Sequence, residues 1–80
     1  MIIKILAFGI SKDIVGSHSI SIEAGEDLQV SLLREILNKT YPKLKELKSY
    51  MIAINNNYVL PEIFIDENDE VAIIPPVSGG

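Results

Sequence analysis

Apolar residues crowd the first eight positions, where Ile2, Ile3, Ile5, Leu6, Ala7 and Phe8 are interrupted only by Lys4, and this run predicts a strand that ends at Gly9. Gly16 marks a following loop or hairpin. His18-Ser19-Ile20-Ser21-Ile22-Glu23 then alternates polar and apolar, the pattern of a strand with one buried face, so the two segments read as an antiparallel hairpin. Val30, Leu33, Ile36 and Leu37 recur at helical spacing, with Leu32 widening the stripe, and predict an amphipathic helix of about ten residues. Asp27 or Ser31 is placed to cap its start, and Pro42 stops it near Thr40. Residues 42–50 present Leu44 and Leu47 among lysines, as a short surface turn of helix does. Met51-Ile52-Ala53-Ile54 reads as a strand and Asn55-Asn56-Asn57 as a turn, because asparagine tolerates positive φ. A short strand at residues 58–59, a turn over 66–69 and a final strand over 70–74 complete a ββαβββ-like order.

If the first and last strands are neighbours, this order builds an α+β fold, a mixed sheet with one main helix across one face. That is the β-grasp, ubiquitin-like architecture, and its C-terminus leaves from the end of a central strand. Eighty residues make one domain, read as 1–74 with an extended, flexible C-terminal tail over 75–80. The chain is 48% hydrophobic and 22% charged, the balance of an ordered globular protein with room for one core and no enclosed active site. It has no cysteine, which removes disulfides and thiolate metal sites and points to a reducing, cytoplasmic compartment. A net charge of −4 argues against nucleic acid and favours a basic partner surface. The apolar opening is far shorter than the roughly 20 residues that span a bilayer, and it lacks the basic start and cleavage site of a signal peptide.

The most informative segment is the last one, Pro75-Pro76-Val77-Ser78-Gly79-Gly80, which follows the final strand with almost no linker. Glycines without Cβ atoms can pass through a channel too narrow for side chains. Extended at roughly 3.3 to 3.6 Å per residue, this segment reaches about 20 Å beyond the fold, the depth of an active-site cleft. The two prolines hold φ near −65°, so less conformational entropy is lost when the tail docks. A frayed terminus is the plainer explanation of a glycine pair. The strand-to-proline junction argues against it. The terminal carboxylate is ionised at neutral pH and is a poor acyl donor, so acyl chemistry at Gly80 needs activation, most simply by adenylation with ATP.

This ending, Asp69-Glu70-Val71-Ala72-Ile73-Ile74-Pro75-Pro76-Val77-Ser78-Gly79-Gly80, resembles the C-terminal signature of the MoaD family, the small sulfur-carrier subunit of molybdopterin synthase. Ile3 to Phe8 with Gly16, the helix positions Val30, Leu33 and Leu37 followed by Tyr41-Pro42, and Ala53-Ile54-Asn55 fall where that family has equivalents. The resemblance implies that a MoeB-like enzyme adenylates Gly80 and that a sulfur donor converts it to a thiocarboxylate. It further implies that residues 75–79 (Pro75, Pro76, Val77, Ser78 and Gly79) insert into a MoaE-like large subunit, in a heterotetramer of two small and two large subunits. There the sulfur passes to cyclic pyranopterin monophosphate and builds the dithiolene of molybdopterin. The carrier itself is then no catalyst and binds no cofactor or metal, and Phe8 and Ile74 offer its partner interface. The chain departs from the family pattern at Asn68, where glycine is usual and which is read as left-handed. It departs also at Ile73 and Ile74, where aromatic residues are frequent, and at Lys12-Asp13, in place of arginine and glutamate.

Two other readings use nearly the same tail. One is a ThiS-like or tRNA-thiolation sulfur carrier; the other is a ubiquitin-like modifier joined to lysines through Gly80. The remaining candidates are weak. His18 has no cysteine or second histidine near it in sequence, and the acidic residues Asp66, Glu67, Asp69 and Glu70 lack EF-hand spacing. Tyr41, Tyr50 and Tyr58 read as packing residues, and Lys39, Lys43, Lys45 and Lys48 as a solvated group favouring the helix dipole.

Overall fold

The computed structural model describes residues 1–47 and 50–76. A five-stranded sheet has the order β2-β1-β5-β3-β4, with β1 at Ile2–Ala7, β2 at Ser19–Glu23, β3 at Met51–Ile54, β4 at Asn57–Tyr58 and β5 at Val71–Ile74. β1 runs antiparallel to β2 and parallel to β5, and β3 is antiparallel to both β5 and β4. The expected adjacency of first and last strands is present, and the sheet is mixed. The Met1 ammonium donates to the Ala24 carbonyl at 2.7 Å and closes the outer end of the β1–β2 ladder.

Alternation along the strands divides their side chains between two faces. Ile3, Ile5, Val71, Ile73, Ile52 and Ile54 point to one side and are buried. The helix α2, Val30–Thr40, covers that side with Val30, Leu33 and Leu37, and Leu28, Leu44 and Ile65 close the margins. The predicted helix is therefore present at its predicted length, with two corrections. Leu32 lies on the outer surface, 44% exposed, so it does not widen the core stripe. Neither Asp27 nor Ser31 caps the start: Gln29 is the N-cap residue and Ser31 lies inside the helix. The Val30 and Ser31 amides instead donate to the carbonyls of Ile63 and Pro61, both at 2.9 Å, so a distant loop satisfies the first turn.

A further correction concerns the β1–β2 connection. It contains a six-residue helix, α1, Ile10–Val15, which ends with Gly16 in the left-handed conformation. Residues after α2 form a short 3-10 helix, Pro42–Glu46, whose Leu44 is fully buried. The asparagine turn narrows to Asn55 and Asn56, with φ of 51° and 70°, the two-residue hairpin turn that matches strand twist, while Asn57 opens β4. Among the described residues these are the only non-glycine positions with positive φ, so Asn68 is not left-handed. The 66–69 turn closes instead through the Asp69 amide on the Asp66 carbonyl at 3.0 Å, which requires no residue of special conformation.

Tyr50 joins the end of α2 to the start of β3. Its hydroxyl donates to Asn38 Oδ1 at 2.6 Å, Arg34 Nη1 donates to its carbonyl at 2.9 Å, and the guanidinium lies 4.5 Å from its ring centroid. Burial pushes the phenol above its ordinary value of 10.0, and the nearby Arg34 only partly offsets this. The neutral phenol is thus favoured in the folded state, so its contribution is intact below about pH 10 and is lost as pH rises through the raised value. Tyr50→Phe is expected to cost about 1 kcal/mol at neutral pH through the lost hydrogen bond. Urea unfolding as a function of pH is expected to show a shallower alkaline loss of stability in this variant than in the wild type.

Candidate functional site

Among the described residues no element covers the sheet face opposite α2, and its outward residues meet across four strands. Leu6 of β1 and Phe8 just beyond it, Ala72 and Ile74 of β5, Ala53 of β3 and Tyr58 of β4 line an open groove of about 360 Å³. Asn56 and Glu70 form its polar edge. Register explains the gathering. Ala72 is paired with Leu6 on one side and with Ala53 on the other, and Ala53 is paired with Tyr58. Small alanines lie in the middle and larger side chains stand around them, which makes the surface concave. Phe8 is 49% exposed and Tyr58 65%, so large aromatic surfaces face solvent here.

The two predicted interface residues, Phe8 and Ile74, are therefore brought together in one groove. Tyr58, read from the sequence as a packing residue, belongs to that groove and not to the core. Its place follows from the tight Asn55-Asn56 turn, which puts it across from Ala53. Pro75 continues from Ile74 at the groove's end and is half-buried, and Pro76 is exposed. Val77, Ser78, Gly79 and Gly80, the rest of the predicted inserting tail, lie outside the described residues, as does Lys48.

An acidic margin runs beside the groove. Glu67, Asn68, Asp69 and Glu70 border a second hollow of about 280 Å³ with Lys4 and Leu6, and Leu6 and Glu70 are common to both hollows. The margin is held by side-chain amide chemistry. Asn55 Nδ2 donates to Asp69 Oδ1 and Asn55 Oδ1 accepts from the Glu70 amide, both at 3.0 Å, while Asp69 Oδ2 accepts from the Asp66 amide at 2.7 Å. Among the described residues no group of three or more His, Cys, Asp or Glu side chains is arranged to hold a metal ion. His18 is exposed at the start of β2, where its carbonyl accepts from the Ala7 amide at 2.9 Å. Apolar and concave, with the Glu70 carboxylate at its edge, the groove is shaped to take a protein surface.

The ThiS family model matches residues 5–80. The chain belongs to the ThiS family. Among curated relatives, the molybdopterin synthase sulfur carrier subunit of Dictyostelium discoideum is 40% identical over 82 residues, spanning 96% of this chain and 94% of that protein. The small archaeal modifier protein 1 of Methanosarcina acetivorans has the same fold in solution, with a TM-score of 0.80 and 26% identity over 99% of this chain and 96% of that one. A chain from the complex of subunits 1 and 2 of the molybdopterin-converting factor of Helicobacter pylori 26695 matches with a TM-score of 0.69 and 23% identity, covering 100% of both chains. The β-grasp assignment follows from these likenesses and from the sheet order. No helix among the described residues is long and apolar enough to cross a membrane.

Asn55 tests how the acidic margin and β5 are held. Asn55→Gly keeps the positive φ and removes both side-chain bonds, and is expected to lower stability by about 1 kcal/mol in urea unfolding. Asn55→Ala adds backbone strain at φ 51° and is expected to cost more.

Proposed function

We propose that this chain is a molybdopterin synthase sulfur carrier subunit that works through its C-terminal glycine. The carboxylate of Gly80 attacks the α-phosphate of ATP on a MoeB-like enzyme and releases pyrophosphate. A sulfur donor displaces AMP and leaves a thiocarboxylate. In a MoaE-like large subunit, within an assembly of two small and two large chains, the sulfur attacks cyclic pyranopterin monophosphate. Cleavage of the acyl–sulfur bond by water then regenerates the carboxylate, and two such deliveries supply the dithiolene. Replacing oxygen by sulfur yields a softer and stronger nucleophile at the same position. The carrier acts in the cytoplasm, consistent with a chain free of cysteine.

The observation that carries this reading is the apolar groove, which ends where β5 leaves for Pro75. A partner seated on Phe8, Tyr58 and Ile74 is thereby registered with the base of the segment it must receive. The acidic margin suits a basic partner surface and steers its approach. The name of the Dictyostelium relative supports molybdopterin synthase as the destination. The likeness to the archaeal modifier supports a second reading, conjugation of Gly80 to lysine amines. The family model's description keeps a ThiS-like sulfur carrier as a third.

Intact mass spectrometry after incubation with the MoeB-like enzyme, ATP and sulfide separates these readings. The sulfur carrier is expected to gain the mass difference of one oxygen exchanged for sulfur, and then to lose it on addition of the large subunit and cyclic pyranopterin monophosphate. An unchanged mass with a competent activating enzyme, together with Gly80-dependent adducts on other proteins, would establish the modifier instead. Deletion of Gly80 is expected to abolish sulfur uptake and leave the melting temperature unchanged. Ile74→Asp is expected to weaken binding to the large subunit by at least about tenfold, roughly 1.4 kcal/mol, without unfolding the domain, as isothermal titration and thermal melts would record.

A further inference from the structure

The last strand leaves the sheet where its ladder cannot continue. β5 lies beside β1 with Ala72 opposite Leu6 and Ile73 opposite Ala7. The Ala7 amide points away from β5, toward the His18 carbonyl. Alternation along the strand therefore turns the amide and carbonyl of Phe8 toward β5. One step further at this register, the Phe8 carbonyl would take its hydrogen from the amide of residue 75, and Pro75 has none.

Ser11 supplies what the proline lacks. Its side chain is fully buried, and its Oγ donates to the Phe8 carbonyl at 2.5 Å and accepts from the Phe8 amide at 3.1 Å. The Ser11 amide adds a 3.1 Å bond to the same carbonyl. Between them Gly9 takes φ 56° and ψ −134°, a conformation open to glycine and strained for other residues. A Cβ there would stand 3.2 Å from Pro75 Cγ. The proline ring thus lies against the bare Cα of Gly9, while Ser11 holds the residue before it.

We propose that Ser11, acting with Gly9, is a positioning residue that sets the direction in which the C-terminal segment leaves the fold. Ser11 touches no reacting atom. The groove supplies binding, and the Phe8–Ser11 turn supplies aim. This rests on the sulfur-carrier reading, in which the terminal group must reach an atom inside a partner's active site. An error of about 1 Å in such a placement can cost on the order of a hundredfold in rate.

The test uses the full chain, as wild type and as Ser11→Ala, Ser11→Thr and Gly9→Ala, each converted to the thiocarboxylate and verified by intact mass. Single-turnover sulfur transfer is measured at saturating large subunit, and the Kd is measured separately. Ser11→Ala and Gly9→Ala are expected to lose about tenfold or more of the transfer rate with unchanged Kd, while Ser11→Thr, which keeps the hydroxyl, retains the wild-type rate. Hydrogen exchange at the Phe8 amide is expected to quicken in Ser11→Ala. Circular dichroism melts identify the folded variants. Gly9→Ala, which keeps the Ser11 hydroxyl and strains the turn against Pro75, decides the matter if Ser11→Ala does not fold: a folded Gly9→Ala that transfers sulfur at the wild-type rate then overturns the positioning role. A folded variant lacking the hydroxyl that transfers sulfur at the wild-type rate overturns the positioning role alone, as does equal loss in Ser11→Thr and Ser11→Ala. A wild-type chain that takes up no sulfur overturns the carrier reading and the positioning role with it.

Discussion

The parallel pairing of β1 with β5 is the constraint on which the rest of the molecule depends. A parallel pair cannot be joined by a tight turn, so everything between the two strands is crossover. That crossover contains β2, α2 and the β3–β4 hairpin, and each finds its place relative to the central pair. β2 extends the sheet beyond β1, β3 extends it beyond β5, and α2 covers the side on which Ile3, Ile5, Val71 and Ile73 converge. The pairing joins sequence-distant residues at the centre of the sheet, so stability is concentrated where the chain's two ends run side by side.

One helix covers one face of the five-stranded sheet, and among the described residues the other face stays open. The division of labour is visible at the level of single strands. In β5, Val71 and Ile73 belong to the core, while Ala72 and Ile74 belong to the groove. A one-residue slip in the β1–β5 register would exchange these sets, burying the groove residues and exposing the core. Core and groove are therefore specified by the same ladder, and a change on either face is felt through the shared backbone.

Much of this was legible in the residues because most strands follow a period of two, and α2 places Val30, Leu33 and Leu37 on one side. What escaped reading has identifiable physical causes. Helix α1 spans six residues, too few for its periodicity to be distinguished from a glycine-bounded loop. The start of α2 offered two plausible capping side chains, yet its first amides are satisfied by main-chain carbonyls from the 61–63 loop, a tertiary solution that leaves no local mark. Tyr58 reads as a packing residue like the other tyrosines, and only the two-residue turn before it determines that it lines the groove. That Phe8 and Ile74 lie together follows from their places at the ends of the first and last strands, whereas the buried hydroxyl of Ser11 carried no signal in the sequence.

The direction of β1 relative to β5 has a mechanical consequence. Because the two strands run the same way, the chain's start and the exit at Pro75 lie at opposite ends of the central pair. A force drawing the tail outward, such as withdrawal from a tight pocket while the domain is held, loads the inter-strand hydrogen bonds in shear. Those bonds resist together instead of opening one after another as in a peeled hairpin. The domain can therefore bear a pull on its C-terminal end without the pull becoming a path to unfolding.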